Sequence, residues 1–200
     1  MRNKIWFMVL VLGLVAGAAG LALSAVHDLT APVIEKRILE EKIKPTLDGF
    51  FGELNVENDY ISDRTVLELG KDQLGRKIRL TVFKGKKGGE VVAAALQTSA
   101  SGYGGDIDVL TAFDLAEQKI LGVKTLSQKE TKGLGARVAD DGNPFIKQFQ
   151  GMGYEQGVAL TAQGGQVDAL SGSTITSAAF ASAVDKAARL LDERAAEIEK

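Results

Sequence analysis

The sequence predicts an α+β protein: one N-terminal transmembrane helix, then a single domain with a largely antiparallel twisted sheet and flanking helices. Three observations carry that expectation. A run of 22 uncharged residues, IWFMVLVLGLVAGAAGLALSAV, extends from Ile5 to Val26. Between Thr65 and Leu126, short strand-like segments follow one another, separated by turn residues rather than helical stretches. Helical periodicity is confined to the two ends of that succession.

As a helix, the apolar run would measure roughly 33 Å, against about 30 Å of membrane hydrocarbon. Trp6 suits the interface, and Gly13, Ala16, Gly17 and Gly20 offer small-residue spacing for close helix contacts. A cleaved signal peptide is the competing reading, because Arg2 and Lys4 precede the run and small residues lie at 22–25. The run exceeds the ~7–15 apolar residues of a signal core, so a retained anchor in the lipid is preferred. Arg2, Lys4 and the amino terminus favour an N-terminus inside a bacterial cytoplasmic membrane, with the domain on the periplasmic or extracellular side. Lys36, Arg37, Lys42 and Lys44 on the far flank pull the other way. The expected organisation is an anchor over 1–28, a juxtamembrane helix over 29–48 and the domain over 49–200.

The juxtamembrane helix is expected after a short break, capped by Thr30, with Pro32 in its first turn and Pro45 as its stop; Ile34, Ile38 and Leu39 recur at helical spacing. Residues 50–63 read as irregular. Strands are expected at 65–69, 77–83, 91–98, 107–113 and 120–126. KGKKGGE forms the turn before the third of these, with Lys84 to Lys87 as a solvated basic cluster, and a turn near 116–119 joins the last two. PFIKQFQ reads as a short helix with Phe145, Ile146 and Phe149 inward. Residues 175–199 read as mostly helix, with Phe180, Val184, Ala187, Ala188 and Leu191 on one face and a solvated tail, DERAAEIEK.

Composition narrows the chemistry. The 200 residues carry a net charge of −2 and a pI near 5.6, which provides no basic field for nucleic acid. There is no cysteine, so disulfides, thiolate catalysis and Cys-ligated iron–sulfur clusters are excluded. The only histidine, His27, borders the membrane segment, which excludes a His-based zinc site or a Ser-His-Asp triad in the domain. Redox chemistry would have to come from a bound cofactor. No dinucleotide fingerprint opens a helix after a strand.

Three segments stand out. In SGYGGDI, Gly102, Gly104 and Gly105 either let backbone approach a ligand or simply make a turn, and Tyr103 could stack on a flat ring. In SQKETKGLGARV, Gly133 and Gly135 bracket Leu134 and push it outward beside Glu130 and Thr131; a plain turn and a flavin or nucleotide pocket are both open readings. In DALSGSTITS, Ser173, Thr174 or Thr176 could cap the last helix, but a cap uses one hydroxyl and the segment holds five from Ser171 to Ser177. A helix N-terminus also favours a phosphate.

DALSGST resembles the flavinylation motif, D-x-x-S/T-G-A/S-T, of the FMN-binding-domain family. SQKETKGLG and GYGGDIDVLTAFD are similar to two further segments of that family, and LTAPVIEKR behind an N-terminal anchor is similar as well. Within the family the likeness is to subunits of Rnf-type ion-translocating oxidoreductase complexes. The resemblance implies FMN held covalently by a phosphoester at Thr174. It further implies a magnesium-dependent flavin transferase that uses FAD and reads Asp168, Ser171 and Gly172. Ser173, Thr176, Gly133 and Gly135 would belong to the cofactor site, and Leu134, between the two glycines, would pack on the ring with Glu130 and Thr131 at its edge. It implies an electron relay with other subunits of a membrane redox complex, not a stand-alone catalyst. Lys132 stands where the family often has Pro, which would loosen that loop or add positive charge. The alternative is a membrane-tethered binding or scaffold domain without redox function.

Overall fold

The computed structural model describes residues 2–71 and 77–198. They fall into two compact units, Met1–Ile43 and Lys44–Lys200. The first holds helix α1 (Arg2–Arg37) and a π-helical segment, Ile38–Ile43. Its apolar stretch is unburied and is long and apolar enough to cross a membrane.

The expected break after the apolar run does not occur. Thr30 does not cap a new helix; its hydroxyl donates back to the carbonyls of Val26 (2.8 Å) and His27 (3.2 Å), a bond that a Ser or Thr makes from within a helix. Pro32 is accommodated inside α1. Pro45 does not end the helical path either. It is the second residue of α2 (Lys44–Phe51), and in the first turn of a new α segment a missing N–H costs little.

In the second unit, α2 leads through a 3-10 turn, Gly52–Leu54, to five strands: β1 (Thr65–Lys71), β2 (Lys77–Lys87), β3 (Glu90–Ser101), β4 (Asp106–Asp114) and β5 (Lys119–Ser127). Neighbours in sequence are neighbours in the sheet, and every pair is antiparallel, so the sheet is a simple meander. The turn between β2 and β3 is tighter than KGKKGGE suggests. Pairing continues to Lys87 opposite Glu90, leaving only Gly88 and Gly89, at φ 59° and 89°, to reverse the chain. Two successive positive-φ residues match the twist of the flanking strands, and glycine adopts them freely. Lys84 therefore lies inside a strand and is buried, not in a solvated turn.

Both faces of the sheet are covered. Ile107, Val109 and Phe113 of β4 join a large core with Phe145, Phe149 and Phe180, whose rings pack with centroids 5.3–5.5 Å apart. Leu110 and Ala112, equally buried, point to the opposite face. There the Phe50 ring of α2 lies where any side chain at Gly122 of β5 would stand, and Phe51 packs edge-on against Tyr60. The Tyr60 hydroxyl donates to Asp48.

After β5 come a 3-10 turn, Gly135–Ala139, the short helix α3 (Pro144–Lys147) and a second 3-10 turn, Thr161–Gln163. The long helix α4 (Thr174–Glu193) then lies on β3 and β4. Ala179, Ala183 and Ala187 keep its buried face thin, and the Thr98 hydroxyl on β3 donates to the Ala183 carbonyl at 2.7 Å. Past Arg194 the chain bends into α5 (Ala195–Ile198). The tail is not wholly solvated: this bend returns Ile198 to the core, where it is 1% exposed.

Candidate functional site

The site forms where α4 begins. Gly172, at φ 75°, turns the chain, and the Ser173 N–H donates to the Leu170 carbonyl at 3.0 Å. Ser177 locks that turn from inside the helix. Its hydroxyl donates to the Ser173 carbonyl and accepts from the Leu170 N–H, both at 2.9 Å. None of the expected cap candidates caps. Ser173 occupies the cap position without a side-chain cap bond, and its Oγ is buried with no partner. Thr176 is buried and donates to Glu130 Oε2 at 2.6 Å. Thr174, the first helical residue, is exposed. Among the described residues, no acceptor takes the N–H of Thr174, Ile175 or Thr176; the first bond into α4 runs from the Ser177 N–H to the Ser173 carbonyl.

Glu130 joins the three segments singled out in the sequence. It is 8% exposed. Its Oε2 accepts from Thr176 on α4, and its Oε1 accepts from the Gly104 N–H at 2.8 Å, on the loop between β3 and β4. A buried carboxylate needs such donors. Space for it depends on missing side chains. A Cβ at Gly135 would stand 2.5 Å from Thr176 Oγ1 and 2.7 Å from Glu130 Oε2, and one at Gly104 would stand 2.3 Å from the Lys129 carbonyl oxygen. Glycine is required here by close approach.

Around this junction lies a cavity of about 610 Å³. It is lined by Tyr103, Glu130, Thr131, Leu134, Gly135, Gly172, Ser173, Thr174, Ile175 and Thr176. Tyr103 and Leu134 are 73% and 47% exposed, so each offers an apolar surface to the opening. Gly133, Ser171 and Asp168 were expected at the site but lie outside this lining. Gly133 shapes the loop at φ 77°, helping the Leu134 and Ala136 N–H groups reach the Thr131 carbonyl. Ser171 is exposed, and its carbonyl accepts from Arg137 Nη2 at 2.8 Å. Asp168 is exposed and accepts from the Thr161 hydroxyl, while its backbone is gripped on both sides by the Gln148 amide. Lys132 is exposed and outside the lining.

Two participants escaped sequence reading. Arg137 clasps two loops, donating to the carbonyls of Ser171 and of Leu134 (3.3 Å); its partners are main-chain atoms, which no side-chain pattern marks. Ile175 projects from the helix mouth, and its signal was an apolar residue off the buried stripe of α4. The volume fits a small-molecule ligand. The apolar rim suits a flat ring, and the unpaired N–H groups with the partnerless Ser173 hydroxyl suit an anionic tail.

Residues 102–189 match the FMN-binding domain. The chain is 31% identical over 190 residues to the G subunit of the ion-translocating oxidoreductase complex of Stutzerimonas stutzeri, covering 93% of this chain and 80% of that protein. It is 31% identical over 193 residues to the protein of the same name from Cereibacter sphaeroides, covering 94% and 85%. The crystal structure of the C subunit of Na(+)-translocating NADH-quinone reductase from Parabacteroides distasonis aligns with a TM-score of 0.50 at 18% identity, over 72% of this chain and 79% of that one, which shows a shared fold. A helix mouth that leaves its donors free for an anion, an apolar-rimmed cavity beside it and relatives aligned along most of the chain agree: the chain belongs to the family of ion-translocating oxidoreductase complex G subunits, with an FMN-binding domain at its C-terminal side.

Proposed function

We propose that this chain is a membrane-anchored flavin electron carrier of an Rnf-type ion-translocating oxidoreductase complex. Its FMN is esterified to Thr174, and it relays electrons between redox centres of neighbouring subunits. The observation that carries this reading is the position of Thr174: an exposed hydroxyl on the first residue of α4, on the wall of the cavity. Of the neighbouring hydroxyls, Ser173 is buried and Thr176 and Ser177 are engaged by protein partners. Ser171 is exposed but outside the cavity.

Attachment balances as an exchange with FAD. The Thr174 oxygen forms a bond to the FMN phosphorus, the pyrophosphate bond breaks, AMP leaves, and the hydroxyl proton passes to solvent. A flavin transferase performs this step, with exposed Asp168, Ser171 and Gly172 as the surface it reads. Bound FMN supplies the one- and two-electron chemistry that these side chains lack. The protein's share is positioning. The α4 N-terminus would offset the phosphate charge, and Tyr103, Leu134 and Thr131, which line the cavity, would hold the ring. Glu130 keeps the three segments together. The wide opening leaves a ring edge accessible to a redox partner. The N-terminus lies inside, and the domain lies on the periplasmic or extracellular side. A covalent tether there frees occupancy from the low free FMN concentration.

The test is a denaturing gel of chain produced together with a flavin transferase, viewed under ultraviolet light. Fluorescence at the position of the intact chain, lost in Thr174→Val, is expected. A dark wild-type band, or equal fluorescence from the variant, overturns the covalent assignment and leaves the tethered scaffold reading.

A further inference from the structure

The charge on Glu130 exceeds what a structural bridge needs. The residue is 8% exposed, and its two oxygens accept from the Gly104 N–H and the Thr176 hydroxyl. Both donors are neutral. Among the described residues no ion pair includes it, so the buried charge has no cationic partner. Arg137, on the turn that follows, spends its guanidinium on the carbonyls of Leu134 and Ser171. Lys129 and Lys132, close by in the chain, are exposed. Taking a charge out of water without a countercharge is costly. A neutral amide could span the same two partners at less cost. Yet the carboxylate stands here, on the wall of the cavity.

We propose that the Glu130 carboxylate sets the reduction potential of the flavin held in this cavity, lowering it by placing a fixed negative charge on the cavity wall. This rests on the reading of the cavity as the FMN site. The sign follows from charge. Reduction delivers two electrons to the ring, and at mildly alkaline pH only one proton follows from solvent, so the ring gains one negative charge. A like charge on the same cavity wall disfavours that state relative to the neutral oxidised ring, and the potential falls. Burial keeps the effect from being screened away, since salt acts on exposed charges far more than on buried ones. The charge is also fixed in place. Both oxygens are held, and the glycines around them leave no slack: a Cβ at Gly102 would stand 2.5 Å from Oε1, and one at Gly135 would stand 2.7 Å from Oε2. A flavin in this setting takes electrons from a strong donor and passes them on readily, the behaviour of a relay rather than of a sink.

Two variants separate the charge from the bridge. Glu130→Gln removes the charge and can keep the bridge, whereas Thr176→Val cuts the bridge and keeps the charge. The full chain is produced with a flavin transferase, purified in detergent and titrated at mildly alkaline pH with dithionite, which supplies the electrons, in the presence of mediator dyes. Glu130→Gln should raise the midpoint potential. At the wild-type midpoint its reduced-to-oxidised ratio should be about tenfold higher, which is about 30 mV for a two-electron couple. The rise should survive high salt, and Thr176→Val should show none. In parallel, oxidised and reduced riboflavin are bound to chain made without the transferase. Glu130→Gln should narrow the preference for the oxidised form by a similar factor, because affinity and potential are linked in one thermodynamic cycle. If the variant does not load, this ratio decides. An unchanged potential or affinity ratio in Glu130→Gln overturns the proposal. So does an equal rise in Thr176→Val, which assigns the effect to a loosened cavity, or a rise abolished by salt, which assigns it to exposed charges. A wild-type chain that takes up neither covalent nor free flavin overturns the reading of the cavity, and this inference falls with it. A flavin-bearing chain whose potential does not respond to Glu130→Gln overturns this inference alone.

Discussion

Two helix mouths in the same domain are built in opposite ways. At α3, Asn143 takes the N-cap in extended backbone, and its side-chain oxygen accepts from the Phe145 N–H at 3.0 Å. Pro144 follows with no N–H to satisfy. That mouth is closed by its own chain. At α4, the cap residue makes no cap bond, its hydroxyl is buried alone, and the first-turn N–H groups are left without protein acceptors among the described residues. Sequence chemistry favours closure at both, since Asn and Ser are each good caps. The difference lies in the surroundings. Asn143 borders a surface turn over Phe145 and Ile146, whereas the α4 mouth borders a cavity whose rim is apolar and whose floor is a carboxylate held by two donors. The first mouth serves ordinary stability; on the proposed reading the second serves ligand binding.

The largest expected effect breaks the α4 side of the comparison. Thr174→Val removes all protein-bound fluorescence from a denaturing gel, yet changes the unfolding free energy in urea by no more than about 1 kcal/mol, because its side chain is exposed and caps nothing. Next comes the floor. Glu130→Ala leaves the Gly104 N–H and the Thr176 hydroxyl without acceptors and costs about 3 kcal/mol in urea unfolding. Glu130→Gln keeps an acceptor for Gly104, and the Thr176 hydroxyl can turn to accept, so the loss falls to about 1 kcal/mol. Equal losses in the two variants would mean that the charge, not the hydrogen bonding, holds the segments. At the closed mouth, Asn143→Ala costs about 1 kcal/mol in urea unfolding and leaves flavin attachment intact. The smallest effect concerns Thr111, whose buried Oγ1 is also partnerless but lies on β4, away from the cavity lining. Thr111→Val should be neutral or stabilising by under about 1 kcal/mol in urea, with no change in ligand response.

Much of the fold was legible because its signals are local. Five strands in succession give a meander without crossovers, and the turn at Gly88 and Gly89 is visible as glycines. What escaped depended on neighbours. Pro45 reads as a stop, yet a fresh helical turn begins beside it. Lys84 reads as solvated because a sheet covered on both faces is not visible in a lysine-rich run. Ile198 looks lost in a charged tail until the bend at Arg194 brings it home. The candidate site was legible as three segments of unusual glycine and hydroxyl content, but not as one place. Their meeting depends on Glu130 reaching Thr176, 46 positions away. Nor could composition show that Ser173, a good cap residue at the cap position, makes no cap bond, since that depends on its surroundings.

The carboxylate bridge has a bearing on biogenesis. Its two donors come from a loop made before it in the chain and a helix made well after it, so the bridge closes only when the β3–β4 loop and α4 have both been made and brought together. On the proposed reading, a loading enzyme meets a properly presented acceptor only on a finished product. Colour then doubles as an inspection stamp: a half-made or unravelled copy stays unpigmented, and only sound ones enter the electron circuit.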